Sequence, residues 1–89
     1  MKIRILETAE KELEKIVNPL NKQFGKHIEK IALKEAIRHL KYGLPYLTEN
    51  VTKQARIVYF IEEETIYILH CFKNHKEYER WYKSFKWKS

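Results

Sequence analysis

Two apolar segments separated by three glutamates constrain the fold of this chain more than any other feature. Residues 56–61 read RIVYFI, residues 65–72 form a second run rich in β-branched and aromatic side chains, and only Glu62, Glu63 and Glu64 lie between them. Residues of these types favour strands, and a connection this short joins antiparallel neighbours. We therefore predict a β-hairpin closed by an acidic loop of these three glutamates.

The rest of the chain shows strand and helix patterns on both sides of this hairpin. Apolar and polar residues alternate over residues 2–6, which predicts a first strand, and Thr8 is a predicted N-cap for a helix over residues 9–17. A second helical pattern begins near residue 19 or 27 and ends near residue 42, before a predicted short strand over residues 46–51. The sequence thus predicts one α+β domain over the whole chain, with two N-terminal helices packed on a small, mostly antiparallel sheet, and a C-terminal helix.

The positive charge of the chain is concentrated in two segments. The formal net charge is +6, and residues 19–43 and 71–89 each contain 6 Lys or Arg against 2 Glu. Clustered basic residues are typical of proteins that bind polyanions such as nucleic acids. The same pattern also occurs on a helix face that is merely solvated, so charge does not distinguish these alternatives.

The sequence favours a cytoplasmic location. Charged residues occur throughout the first twenty positions, and no apolar run approaches the roughly 18 residues that a membrane span requires. Cys71 is the only cysteine, which excludes an internal disulfide and fits a reducing compartment. Because it lies in an apolar strand, we expect its side chain to be a small buried hydrophobe.

The chain resembles the RelE/ParE superfamily of small bacterial toxins, and within it the RelE-like ribosome-dependent mRNA endonucleases. The resemblance rests on an Arg that opens an apolar strand in the sequence RIVY at residues 56–59. A second apolar strand follows, then a basic segment over residues 73–76 and the aromatic Tyr82. The order of the elements also fits almost the whole chain. The resemblance implies a RelE-like fold and a toxin of a type II toxin–antitoxin system.

The resemblance implies roles for Arg56, His75, Lys76 and Tyr82. Cleaving RNA without a metal requires a base, an acid and cations that neutralise charge on the phosphate. The Arg matching Arg56 contacts the scissile phosphate in such toxins; a salt bridge to Glu49 or to the hairpin glutamates is the alternative. His75 is the candidate general acid or base, because imidazole titrates near neutrality, and Lys76 is a candidate phosphate contact. His75 is otherwise an ordinary residue at a helix start.

Tyr82 has two interpretations. The resemblance places a catalytic or base-stacking tyrosine there, whereas its spacing with the other aromatic residues of the last segment is typical of a core stripe.

Other site residues are less well defined by the sequence. Lys53, Lys73 and Arg80 are expected to contact RNA. The toxins that this chain resembles carry either two lysines or a carboxylate base before the Arg strand, whereas this chain has a single lysine there. Glu49 is therefore a possible general base. The four histidines are scattered and match no zinc-binding spacing, so we expect neither a metal nor another cofactor.

By resemblance, the protein would cut mRNA in the ribosomal A site. The 2′-hydroxyl would attack the phosphate and leave a 2′,3′-cyclic phosphate. The expected partners are the ribosome, mRNA and a cognate antitoxin, and no membrane. One alternative is a ParE-like inhibitor of DNA gyrase, whose relatives lack the His and Tyr near the C-terminus. Another is a non-catalytic, basic nucleic-acid-binding module.

Overall fold

A computed structural model of the protein describes residues 2–37 and 46–87, without the side chains of residues 34–37 and 85–87. The elements in chain order are β1 (Lys2–Ile5), α1 (Glu7–Glu14), α2 (Leu20–Ile37), β2 (Leu47–Asn50), β3 (Arg56–Glu62), β4 (Thr65–Phe72) and α3 (His75–Trp87). The strands form one four-stranded sheet with the strand order β1-β4-β3-β2. Strand β1 is parallel to β4, and the other two pairs of neighbours are antiparallel. This architecture confirms the predicted α+β fold with a mostly antiparallel sheet.

The first helix differs from its predicted bounds. It begins before Thr8, because the residue at the N-cap position is Leu6, whose backbone N–H donates to the carbonyl oxygen of Ile68 at 3.0 Å. Pairing with β4 therefore determines where α1 begins, and the predicted cap at Thr8 is wrong. The helix also ends at Glu14, so Val17, the last residue of the predicted helix, lies outside it and is 78% exposed.

The second helix is confirmed as far as Ile37, and the predicted continuation to residue 42 lies outside the described residues. None of the helices, within the described residues, is both long and apolar enough to cross a membrane.

The hairpin between β3 and β4 is confirmed, but its loop is shorter than predicted. Glu62 pairs with Thr65, so only Glu63 and Glu64 form the turn. Glu63 has a φ of 51°, in the left-handed region that residues other than glycine adopt rarely. Two-residue hairpin turns need a positive φ at their first central position, which explains this conformation.

A β-bulge in β4 determines which side chains share a face of the sheet. Val58 pairs with His70 whereas its neighbour Tyr59 pairs with Ile68, so Leu69 is an extra residue in β4. Without this insertion, every side chain on one side of the bulge would point to the other face. The bulge therefore keeps the apolar side chains at both ends of β4 against the helices.

Helices α1 and α2 cover one face of the sheet. Phe24 and Ile31 of α2 and Ala9 of α1 are completely buried there, together with Ile57 and Tyr59 of β3. Burying a side chain of the size of Ile or Phe stabilises the fold by about 1.5–3 kcal/mol. This face therefore supplies most of the hydrophobic core.

Helix α3 packs against the opposite face, near the end of β4. The ring of Trp81 lies 6.0 Å from the ring of Phe72 and 5.4 Å from that of His70, centroid to centroid. Val58 of β3, which pairs with His70, is completely buried. The second face is thus covered at one end and holds the start of β3 beside the start of α3.

Glu12 of α1 completes hydrogen bonding at the edge of β4. Strand β1 reaches β4 only as far as Ile68, and no other strand of the described residues pairs with the remainder of β4 on that side. The carboxylate of Glu12 accepts the backbone N–H of Cys71 at 2.8 Å and lies 3.2 Å from Nδ1 of His70. Burial, together with this carboxylate, raises the pKa of the Cys71 thiol to about 12, so the thiol stays protonated as expected for a buried hydrophobe.

Replacing Glu63 by Asn should stabilise the protein by about 0.5–1 kcal/mol, because Asn tolerates a left-handed conformation that costs other side chains roughly 1–2 kcal/mol. Urea denaturation measures the free energy of unfolding. Glu64→Asn is the matched control, because it removes the same charge at the neighbouring turn position, where φ is not positive. Equal stabilities of the two variants would contradict this explanation of the turn.

Replacing Glu12 by Ala should destabilise the protein by about 1–3 kcal/mol, because the N–H of buried Cys71 would lose its acceptor. Glu12→Gln, which keeps an amide oxygen, should recover part of the loss. Glu10→Ala, at an exposed position on the same helix, is the control and should have a small effect. Denaturation midpoints that are the same for Glu12→Ala and Glu10→Ala would show that the edge contact contributes nothing.

Candidate active site

Arg56 lies at the start of β3 and points to the face opposite the two N-terminal helices. Its partners in the sheet are Asn50 and Phe72, whose side chains share its face because residues directly opposite each other do so. The guanidinium carbon lies 5.6 Å from the centroid of the Tyr78 ring, which is within cation–π range. Nη1 donates a long hydrogen bond to the carbonyl oxygen of Lys53, at 3.5 Å.

His75 lies beside Arg56 because α3 begins immediately after β4. Asn74 caps the helix, since its Oδ1 accepts the backbone N–H of Glu77 at 2.9 Å. His75 is then the first residue of α3, and its Nδ1 lies 3.5 Å from Nη2 of Arg56. Its Nε2 lies 2.8 Å from Oε1 of Glu79, one turn further along the helix. The structure therefore brings Arg56 and His75 together, with Glu79 behind the imidazole.

Three tyrosines continue this surface. The ring of Tyr78 lies 6.1 Å from the ring of His75 and 6.1 Å from that of Tyr82, so Tyr78 lies between these two predicted site residues. Tyr82 is 39% exposed. Desolvation raises the pKa of Tyr46 to about 12, and the neighbouring Tyr78 and Tyr82 contribute to this rise. The Tyr46 hydroxyl therefore stays protonated at neutral pH.

The basic residues that were predicted to contact RNA lie on different sides of α3. Lys53 and Lys76 are exposed, the first in the turn before β3 and the second beside His75. Lys73 and Arg80 instead line a groove of about 450 Å³ between α1 and α3, together with Glu12, Lys15, Ile16, Cys71, Phe72, Glu77, Trp81 and Ser84. Helical spacing places the groove residues of α3 on the side opposite His75 and Tyr82. The structure thus separates Lys73 and Arg80 from the surface around Arg56.

Glu49 points to the face of the sheet that the N-terminal helices cover. It pairs with Ile57, whose side chain belongs to the core, and its carboxylate lies 3.0 Å from Nδ1 of His27 in α2. Because side chains alternate along a strand, Glu49 and Arg56 point to opposite faces. The structure therefore does not bring Glu49 together with Arg56 and His75.

Sequence reasoning missed three residues of this surface. Asn74 fixes the start of α3, Tyr78 lies under the guanidinium of Arg56, and Glu79 contacts His75. An Asn followed by Glu three positions later is a recognisable capping pattern, and His and Glu four positions apart meet on a helix. Among the described residues, no three His, Cys, Asp or Glu side chains are arranged to hold a metal ion.

Replacing Asn74 by Ala should cost about 1 kcal/mol of stability, because the Glu77 N–H at the start of α3 would lose its acceptor. Asn74→Asp keeps an acceptor oxygen at the same place and should retain the wild-type stability. Thermal unfolding of the three proteins measures the difference. A loss of the same size in both variants would show that the cap does not stabilise the helix start.

No protein-family model matches the sequence, and no curated protein is significantly similar to it. Solved structures are similar in fold. The YoeB dimer from Staphylococcus aureus matches with a TM-score of 0.63 at 18% identity, over 83% of this chain and 97% of that chain.

A second structure of YoeB, from the heterotetrameric YoeB–YefM toxin–antitoxin complex of Staphylococcus aureus, matches with a TM-score of 0.61. Its identity is 15%, and the match covers 83% of this chain and 97% of that chain. A copper-bound mutant toxin from Helicobacter pylori matches with a TM-score of 0.60 at 16% identity, over 86% of this chain and 97% of that chain. This chain therefore has the fold of YoeB and related toxins, which is the RelE-like fold that its sequence predicts.

Proposed function

We propose that the protein is the toxin of a toxin–antitoxin system and that it cleaves mRNA on the ribosome. The observation that carries this proposal is the contact of Arg56 with His75, at 3.5 Å, on the face opposite the N-terminal helices. A cation and a proton-transfer group side by side are what phosphodiester cleavage requires. The fold shared with YoeB supports the same class of function.

In the proposed reaction, the 2′-hydroxyl of one nucleotide attacks the adjacent phosphate. Arg56 donates hydrogen bonds to the phosphate oxygens, on which negative charge increases in the transition state. His75 acts as general acid or base, and Lys76, exposed beside it, neutralises further charge. We expect Tyr82, which is partly exposed one ring beyond Tyr78, to stack on a nucleobase.

The distribution of charge is consistent with a ribosomal substrate. The net charge is +6, and three exposed basic residues are Lys53 before β3, Lys73 before α3 and Arg80 on α3. Contacts of this kind with phosphates provide affinity that does not depend on sequence. We infer that these residues contact mRNA or ribosomal RNA in the cytoplasm. The ribosome would hold the mRNA in the geometry for attack.

An antitoxin is the second partner that we propose. The YoeB structure solved with YefM is a toxin–antitoxin complex with the same fold. By analogy, a cognate antitoxin of acidic character would bind the basic and apolar surfaces of this protein and keep it inactive.

Primer extension on a reporter mRNA in a reconstituted translation system tests this function. Wild-type protein should produce cuts at codon boundaries only when ribosomes are present. Absence of cuts with folded protein would contradict the proposal. A supercoiling assay with DNA gyrase would then test for a ParE-like inhibitor, and RNA binding without cleavage would indicate a non-catalytic module.

Arg56→Ala and His75→Ala should each lower the cleavage rate by about 10²–10⁴-fold, the range expected for losing charge stabilisation or a proton-transfer group. Neither substitution removes a side chain from the apolar core, so both variants should keep the wild-type circular dichroism spectrum. Lys22→Ala, exposed on α2, removes one positive charge elsewhere and is the control. Wild-type rates in both site variants would refute their catalytic role.

A further inference from the structure

The imidazole of His75 lies between a carboxylate and a guanidinium. Its Nε2 is 2.8 Å from Oε1 of Glu79, and its Nδ1 is 3.5 Å from Nη2 of Arg56. Glu79 occupies the position four residues after His75 in α3, so the regular geometry of the helix maintains the first contact. The two nitrogens therefore have different partners, and the difference determines which of them carries a proton.

The partners dictate the tautomer of the ring. An ionised carboxylate can only accept hydrogen bonds, so the contact with Glu79 requires a proton on Nε2. A guanidinium can only donate, so the contact with Arg56 requires a lone pair on Nδ1. In the neutral ring these partners favour the Nε2–H tautomer, which places the lone pair of Nδ1 beside the cation that would bind the phosphate.

We propose that Nδ1 of His75 is the general base of the cleavage reaction and that Glu79 is the residue that positions it. This inference rests on the proposed RNA cleavage and adds the identity of the base, a role for which Glu49 points to the wrong face. When a phosphate binds, Nη2 of Arg56 turns from Nδ1 of His75 to the phosphate oxygens. Nδ1 is then available to the neighbouring 2′-hydroxyl.

The proton and electron pairs can be followed through the step. Nδ1 takes the proton of the 2′-hydroxyl, the O2′–P bond forms, and the P–O5′ bond breaks. The leaving O5′ takes a proton from water, and the imidazolium later returns its proton to solvent. Glu79 stabilises the imidazolium through the hydrogen bond to Nε2.

The effect of Glu79 should be moderate because the pair is accessible to solvent. The side chains of His75 and Glu79 are 41% and 47% exposed, and water screens charges at such positions. We therefore expect Glu79→Ala to lower kcat about 10-fold, well below the ~10⁴-fold loss seen when the carboxylate behind a catalytic His is buried. KM should not change, because Glu79 does not contact the substrate.

Rescue and a matched control make the kinetic test specific. Glu79→Gln keeps an oxygen that accepts the Nε2 proton and should retain a higher kcat than Glu79→Ala. Glu29→Ala, exposed on α2, changes the net charge equally and should cleave at the wild-type rate. In a His75→Ala background, Glu79→Ala should cause no further loss, since Glu79 acts through the imidazole. An equal loss in both backgrounds, or no loss in either, would overturn the positioning role.

Nitrogen-15 NMR of the imidazole tests the tautomer without reference to activity. The His75 signals are identified by their absence from the spectrum of His75→Ala. In the neutral ring, we expect the proton on Nε2 and a bare Nδ1. A proton on Nδ1 in a protein that cleaves mRNA would overturn this inference and leave the proposed function intact. A protein that does not cleave mRNA would refute the proposed function and the base with it, whereas NMR would still decide the contact with Glu79.

Discussion

The pairing of β3 with β4 is the interaction on which both faces of the sheet depend. β4 and β3 form the centre of the sheet, because β1 is hydrogen-bonded to β4 and β2 to β3. The bulge at Leu69 keeps Ile68 and Cys71 on the helix-covered face although they are three residues apart. It also leaves His70 and Phe72 on the opposite face, where they contact Trp81. One inserted residue thus allows a single strand to contribute both to the hydrophobic core and to the candidate active site on the opposite face.

Helix α3 has a different role on each of its sides. Trp81 and Tyr78 pack against Phe72. His75 lies beside Arg56, with Glu79 behind its imidazole, and Arg80 lines the groove toward α1. The position of the imidazole depends on the packing of the aromatic rings and on the Asn74 cap, since both hold the start of the helix against β4. Stability and the geometry of the site therefore depend on the same few contacts.

The sequence was sufficient for the parts of the fold that regular patterns determine. The hairpin could be predicted because its two apolar runs are too close in sequence to pair with anything else. Helix α2 could be predicted from the helical spacing of its apolar residues. The conformation of the turn and the position of the bulge could not be predicted. The turn contains glutamates and none of the residues that usually mark a turn, and Leu69 is as apolar as its neighbours. The register of β2 was also hidden, since shifting a short strand such as Leu47–Asn50 by one residue exchanges the faces of Glu49 and Asn50.

The candidate site could be predicted only in part for a related reason. Arg56 and His75 stand at the ends of adjacent elements, and the resemblance to RelE-like toxins drew attention to both. Glu79 was overlooked because a glutamate on a basic, exposed helix is most simply explained by solvation. Its contact with His75 becomes evident only when the start of α3 is known, because the cap at Asn74 determines which residues of the helix face Arg56.

The parallel pairing of β1 with β4 has a consequence for synthesis of the chain. Strand β1 leaves the ribosome well before β4 and pairs Lys2 with Thr65 and Ile5 with Ile68, so it cannot form these pairs until β4 has been made. Contacts this distant in sequence form late, because the loop between them must close first. His75 follows later still, after β4. Before that point a nascent chain contains neither β4 nor His75, so the surface that Arg56 and His75 form together cannot yet exist.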